Sequence, residues 1–504
     1  MQGTSLILEF ETWGLVGGNH LATPTKQPAR IFKLDATMTS TDDSQSDPRV
    51  HTTLNTVNWK AILQTVCKNA DKPTDLCHWK GEPVSGGFNL IRFLRLDDQE
   101  VVVRVPLYPD PETTGPMTPE IMNQNVRNMA SMLTSMEYVA TYSSIPVPRI
   151  IYSCLDPELN NVRSPYVVMS KVDGVLLCTV WNEMPDDQRE IVLRQVIDIL
   201  LELSTLRFDK IGCLFRTDDG ILHIEPSDPE GDGVTYTSGI DEMLAAANAR
   251  LQEIENEQYG AAHNISDYTR HWFMRSLIPS FYDDSLDAKG FPLWHGDFHS
   301  QNILVVDVER HPRITAIIDW DNTKTICTSS FAQYPLFIVD NPLWDDTDDK
   351  VALLRQRNVR DQATFIRLFE EAECKKFPDS GARLFRAFAN CKGVYLLEQC
   401  IPDQITCEFL FRQLVRHVFG VSTSDEWWFD YTDGLEDNLL HDVMKKLTEE
   451  DEVVDEAREV LGDDKVPVTG LSRKDFIEVA RKHEKDFPAE GKVLPWLNKV
   501  VAGL

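Results

Sequence analysis

The sequence predicts an α+β chain of two lobes, a small sheet-based lobe followed by a larger, mainly helical one. Three patterns predict it. Between residues 55 and 170, Leu90–Leu96 alternates, Glu100–Val105 is β-branched and Tyr166–Met169 is a short apolar run, with one helical stretch, Ile121–Tyr142, among them. After Gly174 the period changes: Ile191, Val192, Leu193, Val196, Ile199, Leu200 and Leu203 recur at helical spacing within Pro185–Leu206. The third pattern interrupts the helices. Ile303–Val308 and Ile314–Trp320 are two β-branched runs joined by the Pro-containing Glu309–Arg313, which reads as an antiparallel hairpin.

Taken in order, residues 1–54 mix a short apolar patch, Ser5–Phe10, with the polar stretch Thr37–Pro48, and are expected to be a poorly ordered tail. Residues 55–170 form the small lobe. Its helix ends at Ile145-Pro146-Val147-Pro148, where proline lacks the amide donor and restrains its predecessor. Residues 171–350 carry the hairpin, and residues 351–504 continue the helical lobe. Further amphipathic stretches are expected at Ile240–Ile254, Val351–Phe377 and Ala382–Gln399, and Ser472 with Asp475 gives a capping-box-like helix start.

Composition excludes several classes. A formal charge of −30 argues against nucleic-acid binding, which needs clustered Lys and Arg on a phosphate-facing surface. The ten cysteines include no C-x-x-C pair, so they read as buried thiols of a reducing, cytoplasmic setting and not as a zinc site. Apolar runs such as Val101–Val103 and Ile303–Val306 are strand-sized, far short of the roughly 20 residues that span a bilayer, so no membrane association is expected.

The chemistry gathers around the hairpin. Trp294-His295-Gly296-Asp297-Phe298-His299-Ser300-Gln301-Asn302 precedes its first strand, and Ile317-Ile318-Asp319-Trp320-Asp321 ends its second. Asn302 enters one strand and Asp319 leaves the other, so the two meet at one end of the hairpin. Phosphoryl transfer needs a magnesium ion held by oxygen ligands against a triphosphate, and an acceptor hydroxyl oriented in line. An amide and a carboxylate at adjacent strand ends, Asn302 and Asp319, supply the metal ligands. Asp297 in the preceding loop is placed to act as base or orienting group. His295 opens the only H-x-D among twelve histidines.

His-Gly-Asp-x-x-x-x-Asn-Ile-Leu followed by Ile-Ile-Asp-Trp-Asp resembles the aminoglycoside phosphotransferase and choline kinase-like families, and Gly-Gly-Phe-Asn with Val-Arg-Val-Pro is similar to their fungal branch, the resemblance covering about residues 55–350. The resemblance implies a protein-kinase-like two-lobe fold with a small antiparallel-sheet N-lobe and a large helical C-lobe, with ATP and Mg2+ as cofactors. It implies Asp297 as the catalytic residue, His295 as a brace of its loop, Asn302 and Asp319 as magnesium ligands, and Asp321 as an accessory acid.

Paired glycines in Val84-Ser85-Gly86-Gly87-Phe88-Asn89 let backbone amides approach phosphates. Ser85, Gly86, Gly87 and Asn89 are therefore nucleotide-binding candidates, with Arg104 on the next strand as the phosphate cation and Val168, Met169 and Lys171 in the segment whose backbone would read adenine. The resemblance places a lysine where Arg104 stands, and a partner Glu near Met132. Glu137, five residues on, lies about 140° around the helix and should face elsewhere.

The expected acceptor is a small molecule seated against residues 351–504. In one reading it bears an amine, held by the acid-rich aromatic segments 344–349 and 425–430. Two other readings stay open at this level: a nucleotide-binding pseudokinase or scaffold, and a metal-dependent hydrolase using Asp297, Asp319 and Asp321.

Overall fold

The computed structural model describes residues 47–502 apart from 98, 230–232, 257, 260–263, 341–347, 380–382, 403, 421–430, 432–433, 436–439 and 468–470. Most of the expected tail (1–46), the bulk of the acidic segment at 344–349 and all of that at 425–430 lie outside the described residues. The described chain starts with two helices, α1 (Pro48–Thr56) and α2 (Trp59–Asn69), so residues 47–54 are not the poorly ordered tail expected of them. Their N-caps explain the difference. The Asp47 carboxylate accepts from the Arg49 amide with Pro48 opening the first turn, and the Asn58 side chain accepts from the Ala61 amide.

Next come the strands β1 (Cys77–Ser85), β2 (Asn89–Leu96) and β3 (Gln99–Pro106), the helix α3 (Pro119–Tyr142), and β4 (Ile150–Cys154) and β5 (Tyr166–Ser170). They form one five-stranded antiparallel sheet in the order β1-β2-β3-β5-β4. Strand alternation sorts its residues between two cores. Val101, Val103 and Val105 pack with α1, α2, Leu90 and Leu94, whereas Val102 turns toward the core that contains Met129, Met132 and Met136 of α3. Arg104 shares the parity of Val102. The alternation itself thus delivers a buried cation to the α3 face of the sheet.

The crossover out of the sheet is β6 (Val175–Leu176), which pairs with the first strand of the expected hairpin, Leu176 against Leu304. Gly174, at φ +145°, permits this approach, since a Cβ there would lie 3.0 Å from the Val305 carbonyl oxygen. Helix α4 (Asp186–Leu203) then buries Val192, Val196, Leu200 and Leu203 in the core shared with the hairpin. The hairpin strands are Ile303–Val306 and Arg313–Ile317, in register Ile303 to Ile317 and Val306 to Arg313.

The chain divides into two compact units. The first holds the sheet, α4 and the hairpin, from Lys33–Thr237 and Leu286–Ala389; the second is built from Ser238–Ser285 and Asn390–Leu504. The boundary at Asn390 coincides with a break in the stretch expected as one helix over Ala382–Gln399. It is two helices, Arg383–Ala389 and Lys392–Cys400. In the second unit Ser472 caps the helix Arg473–Lys482 as expected, its hydroxyl accepting from the Asp475 amide at 3.2 Å. Among the described residues no helix is long and apolar enough to cross a membrane.

Candidate active site

The loop from His295 to Asn302 is shaped by contacts that only its own sequence can make. Gly296 has φ +83°, and a Cβ there would meet the Asn322 carbonyl oxygen at 2.1 Å, so no other residue fits. His295 is fully buried. Its Nδ1 accepts from the Asp297 amide at 3.3 Å and its Nε2 lies 3.0 Å from the Ile318 carbonyl, so the proton sits on Nε2, which donates. Burial pushes the imidazole down to about 4, which keeps it neutral and consistent with that tautomer. The ring also lies edge-on to Trp320, with centroids 4.5 Å apart. His295 therefore bolts the loop to the far strand of the hairpin.

Asp297 is 6% exposed. The Asn302 amide nitrogen donates to its Oδ2 at 2.9 Å and to its carbonyl at 3.0 Å. On the other side, His299 Nε2 stands 3.0 Å from Asp297 Oδ1, at ion-pair distance but not aligned for a hydrogen bond, and neither buried atom has another partner. Burial raises the carboxyl's pKa, but His299, then His295 and Asn302, outweigh it and hold the group below its usual range. The result is an ionised carboxylate with Oδ2 hydrogen-bonded and Oδ1 paired only by charge with His299, its hydrogen-bonding capacity unused. Sequence reasoning named Asp297 and missed His299, although it lies in the same motif two residues on.

Asn302 ends the loop and Ile318 ends the hairpin, joined by the Ile318 amide donating to the Asn302 carbonyl at 2.9 Å. Asp319 follows in the left-handed region at φ +65°, a conformation costing a non-glycine residue about 1–2 kcal/mol. Its carboxylate is 44% exposed, and Oδ1 accepts from Arg104 Nη2 at 3.0 Å. With its amide nitrogen committed to Asp297, Asn302 has its amide oxygen left over for another partner. Among the described residues no group of three or more His, Cys, Asp and Glu could hold a metal. The two oxygens at the hairpin end suit Mg2+, which takes few protein ligands and completes its shell with phosphate and water.

The expected nucleotide residues fall into two sets. Ser85, Gly86 and Gly87 form the exposed tip of the β1–β2 hairpin, closed by the Gly86 amide donating to the Asn89 carbonyl at 3.0 Å. A Cβ on Gly86 or Gly87 would meet nothing within 4 Å, so these glycines are not required by the protein's own packing. Val168 and Met169 lie in β5, opposite Val103 and Val102. The Lys171 ammonium is spent on Glu100 at 2.7 Å, which leaves that residue its backbone for any adenine contact.

Arg104 is 5% exposed and is held from three directions. Nη2 pairs with Asp319 and Asp321, and Nη1 lies 3.2 Å from the Met132 sulfur. Asn89 donates to Asp321 Oδ2 at 2.9 Å, which ties the base of the glycine hairpin to the same carboxylate. Met132 occupies the seat opposite Arg104 that spacing assigned to it, and Glu137 is exposed.

A five-stranded antiparallel sheet with one buried cation, followed by a helical lobe whose hairpin and preceding loop carry Asp297, Asn302 and Asp319, defines a kinase-like phosphotransferase fold. Residues 80–325 match the family model described as "Phosphotransferase enzyme family" (APH). A subtelomeric hrmA-associated cluster protein of Aspergillus fumigatus is 26% identical over 146 residues, 29% of this chain and 26% of that protein. Altered inheritance of mitochondria protein 9 of Clavispora lusitaniae is 22% identical over 316 residues, 59% of this chain and 50% of that protein. The chain thus spans about a quarter to a half of these curated relatives.

Among solved structures, aminoglycoside phosphotransferase APH(2'')-Ib with ADP is 10% identical with TM-score 0.38, covering 78% of this chain and 99% of that one. A thermostable mutant of APH(4)-Ia in complex with AMP-PNP and hygromycin B is 16% identical with TM-score 0.38, covering 77% and 98%. At such TM-scores the match over residues 80–325 is the firmer relation.

Proposed function

We propose that the chain transfers the γ-phosphate of Mg-ATP to a hydroxyl of a small molecule. The observation that carries this reading is Asp297: an ionised, buried carboxylate with Oδ2 fixed by Asn302 and Oδ1 free of any hydrogen bond, beside His299 Nε2. Oδ1 accepts the acceptor's O–H and orients its oxygen toward the γ-phosphorus. The acceptor O–P bond forms as the bond between the γ-phosphorus and the β–γ bridging oxygen breaks; the acceptor proton passes to Asp297, and ADP leaves. Asn302 Oδ1 and Asp319 would hold Mg2+, which neutralises charge on the phosphates. Arg104 faces the α- and β-phosphates, the glycine hairpin Ser85–Asn89 covers them, and the β5 end at Val168, Met169 and Lys171 receives the adenine.

The formal charge of −30 favours an amine-bearing acceptor, with residues 351–504 as its binding region. A nucleotide-binding pseudokinase is the second reading, favoured by Met132 standing beside Arg104 where a carboxylate would orient the cation.

Two measurements test the proposal. Millimolar Mg-ATP should raise the melting temperature, because a ligand that binds only the folded state stabilises it. A metabolite panel incubated with Mg-ATP should yield one product heavier by a phosphate. No thermal shift would sink both readings; a shift with no product across a broad panel would favour the pseudokinase.

A further inference from the structure

We infer that Asp321 is a positioning residue for the nucleotide, holding Arg104 and, through Asn89, the glycine hairpin against the strand end that carries Asp319. The inference rests on the proposed nucleotide reading and goes beyond it by assigning the group that keeps the phosphate cation in place.

A guanidinium as buried as Arg104 needs a charge partner, since an unpaired buried charge is strongly destabilising. Three side chains touch it, and they are not equivalent. Met132 offers a thioether, a weak acceptor without charge. Asp319 offers a carboxylate, but a more exposed one, 44% against 25% for Asp321, and it is also the proposed metal ligand. A metal there would compete with Arg104 for the same oxygens. Asp321 is the remaining carboxylate, and it alone is shared with the small lobe's loop through the Asn89 amide. Asn89 in turn closes the glycine hairpin, its carbonyl accepting from Gly86. One carboxylate therefore fixes both the cation and the loop to which the phosphates would be presented.

The assignment is tested by calorimetric titration of the full chain with ATP and with adenosine, in Mg2+ and in EDTA. Asp321→Asn should weaken ATP about tenfold in both media, the scale of losing one charge-assisted hydrogen bond, and leave adenosine unchanged. Asp321→Glu should recover part of the affinity. Met132→Glu placed on the Asp321→Asn background should restore it, because it returns a negative charge within reach of Nη1.

Should Asp321→Asn fail to fold, Asn89→Ala serves instead, with a loss of a few fold confined to ATP. Equal weakening of ATP and adenosine, unchanged ATP affinity, or a loss that Met132→Glu leaves in place would overturn the assignment. Absence of ATP binding by the wild type would overturn the nucleotide reading along with it.

Discussion

The loop around Asp297 and the cation Arg104 are both buried and both charged, yet they are secured in opposite ways. Asp297 is held by residues within five positions of it, His295, His299 and Asn302, and the loop is bolted to Ile318 of its own hairpin. Arg104 is held by residues far away in sequence: Met132 on α3, and Asp319 and Asp321 beyond the hairpin. A locally secured group depends on backbone shape, whereas a group secured at a distance depends on the chemistry of its partners.

The largest effect should come from breaking the local shape. Gly296→Ala drives a methyl into the Asn322 carbonyl at a left-handed backbone position, and should destabilise the folded state by about 3 kcal/mol or more in urea unfolding. No loss would mean that the loop's shape is not fixed as described.

A comparable effect should appear with pH. His295 has a folded-state pKa near 4 against the ordinary 6.5, so the unfolded chain takes up its proton first as pH falls. Its contribution is complete above pH 6.5 and is lost between 6.5 and about 4, by up to about 3 kcal/mol. The buried His271 in the second unit also has its pKa lowered to about 4, so the informative quantity is the difference in pH slope between wild type and His295→Gln. Equal slopes would count against a buried, neutral His295.

The smallest effects belong to the distant side. Met132→Leu removes only the sulfur contact to Arg104 and should cost less than about 1.5 kcal/mol, as volume-conserving core changes do. Exposed Glu137→Ala should leave ATP affinity within twofold, about 0.4 kcal/mol and inside the usual range for surface changes. A larger loss at Glu137 would mean that α3 presents a different face to Arg104.

The same contrast explains what was legible in the sequence. Asp297, Asn302 and Asp319 lie on one loop and one hairpin, so strand register alone converts their spacing into proximity. The seat of Met132 was also readable, because Ile145-Pro146-Val147-Pro148 fixes where α3 ends and Pro146 docks on the hairpin through the Ile317 amide. The bridge from Asn89 to Asp321 spans 232 residues, and no local pattern announces it. Helices α1 and α2 were passed over for a different reason. Their caps, Asp47 and Asn58, are ordinary local signals, but the first follows directly on a polar stretch, and the packing of Trp59 on Trp79 and Arg92 emerges only in the folded lobe.

The most direct test of the proposed phosphotransfer is phosphate transfer by Asp297→Asn at saturating Mg-ATP and acceptor, set beside its Mg-ATP affinity. The substitution keeps the size of the side chain and removes its charge. Transfer should fall by about 10²–10⁴-fold, the range for a positioned acid–base group, while Mg-ATP affinity stays near that of the wild type. Undiminished transfer would contradict the role given to Asp297.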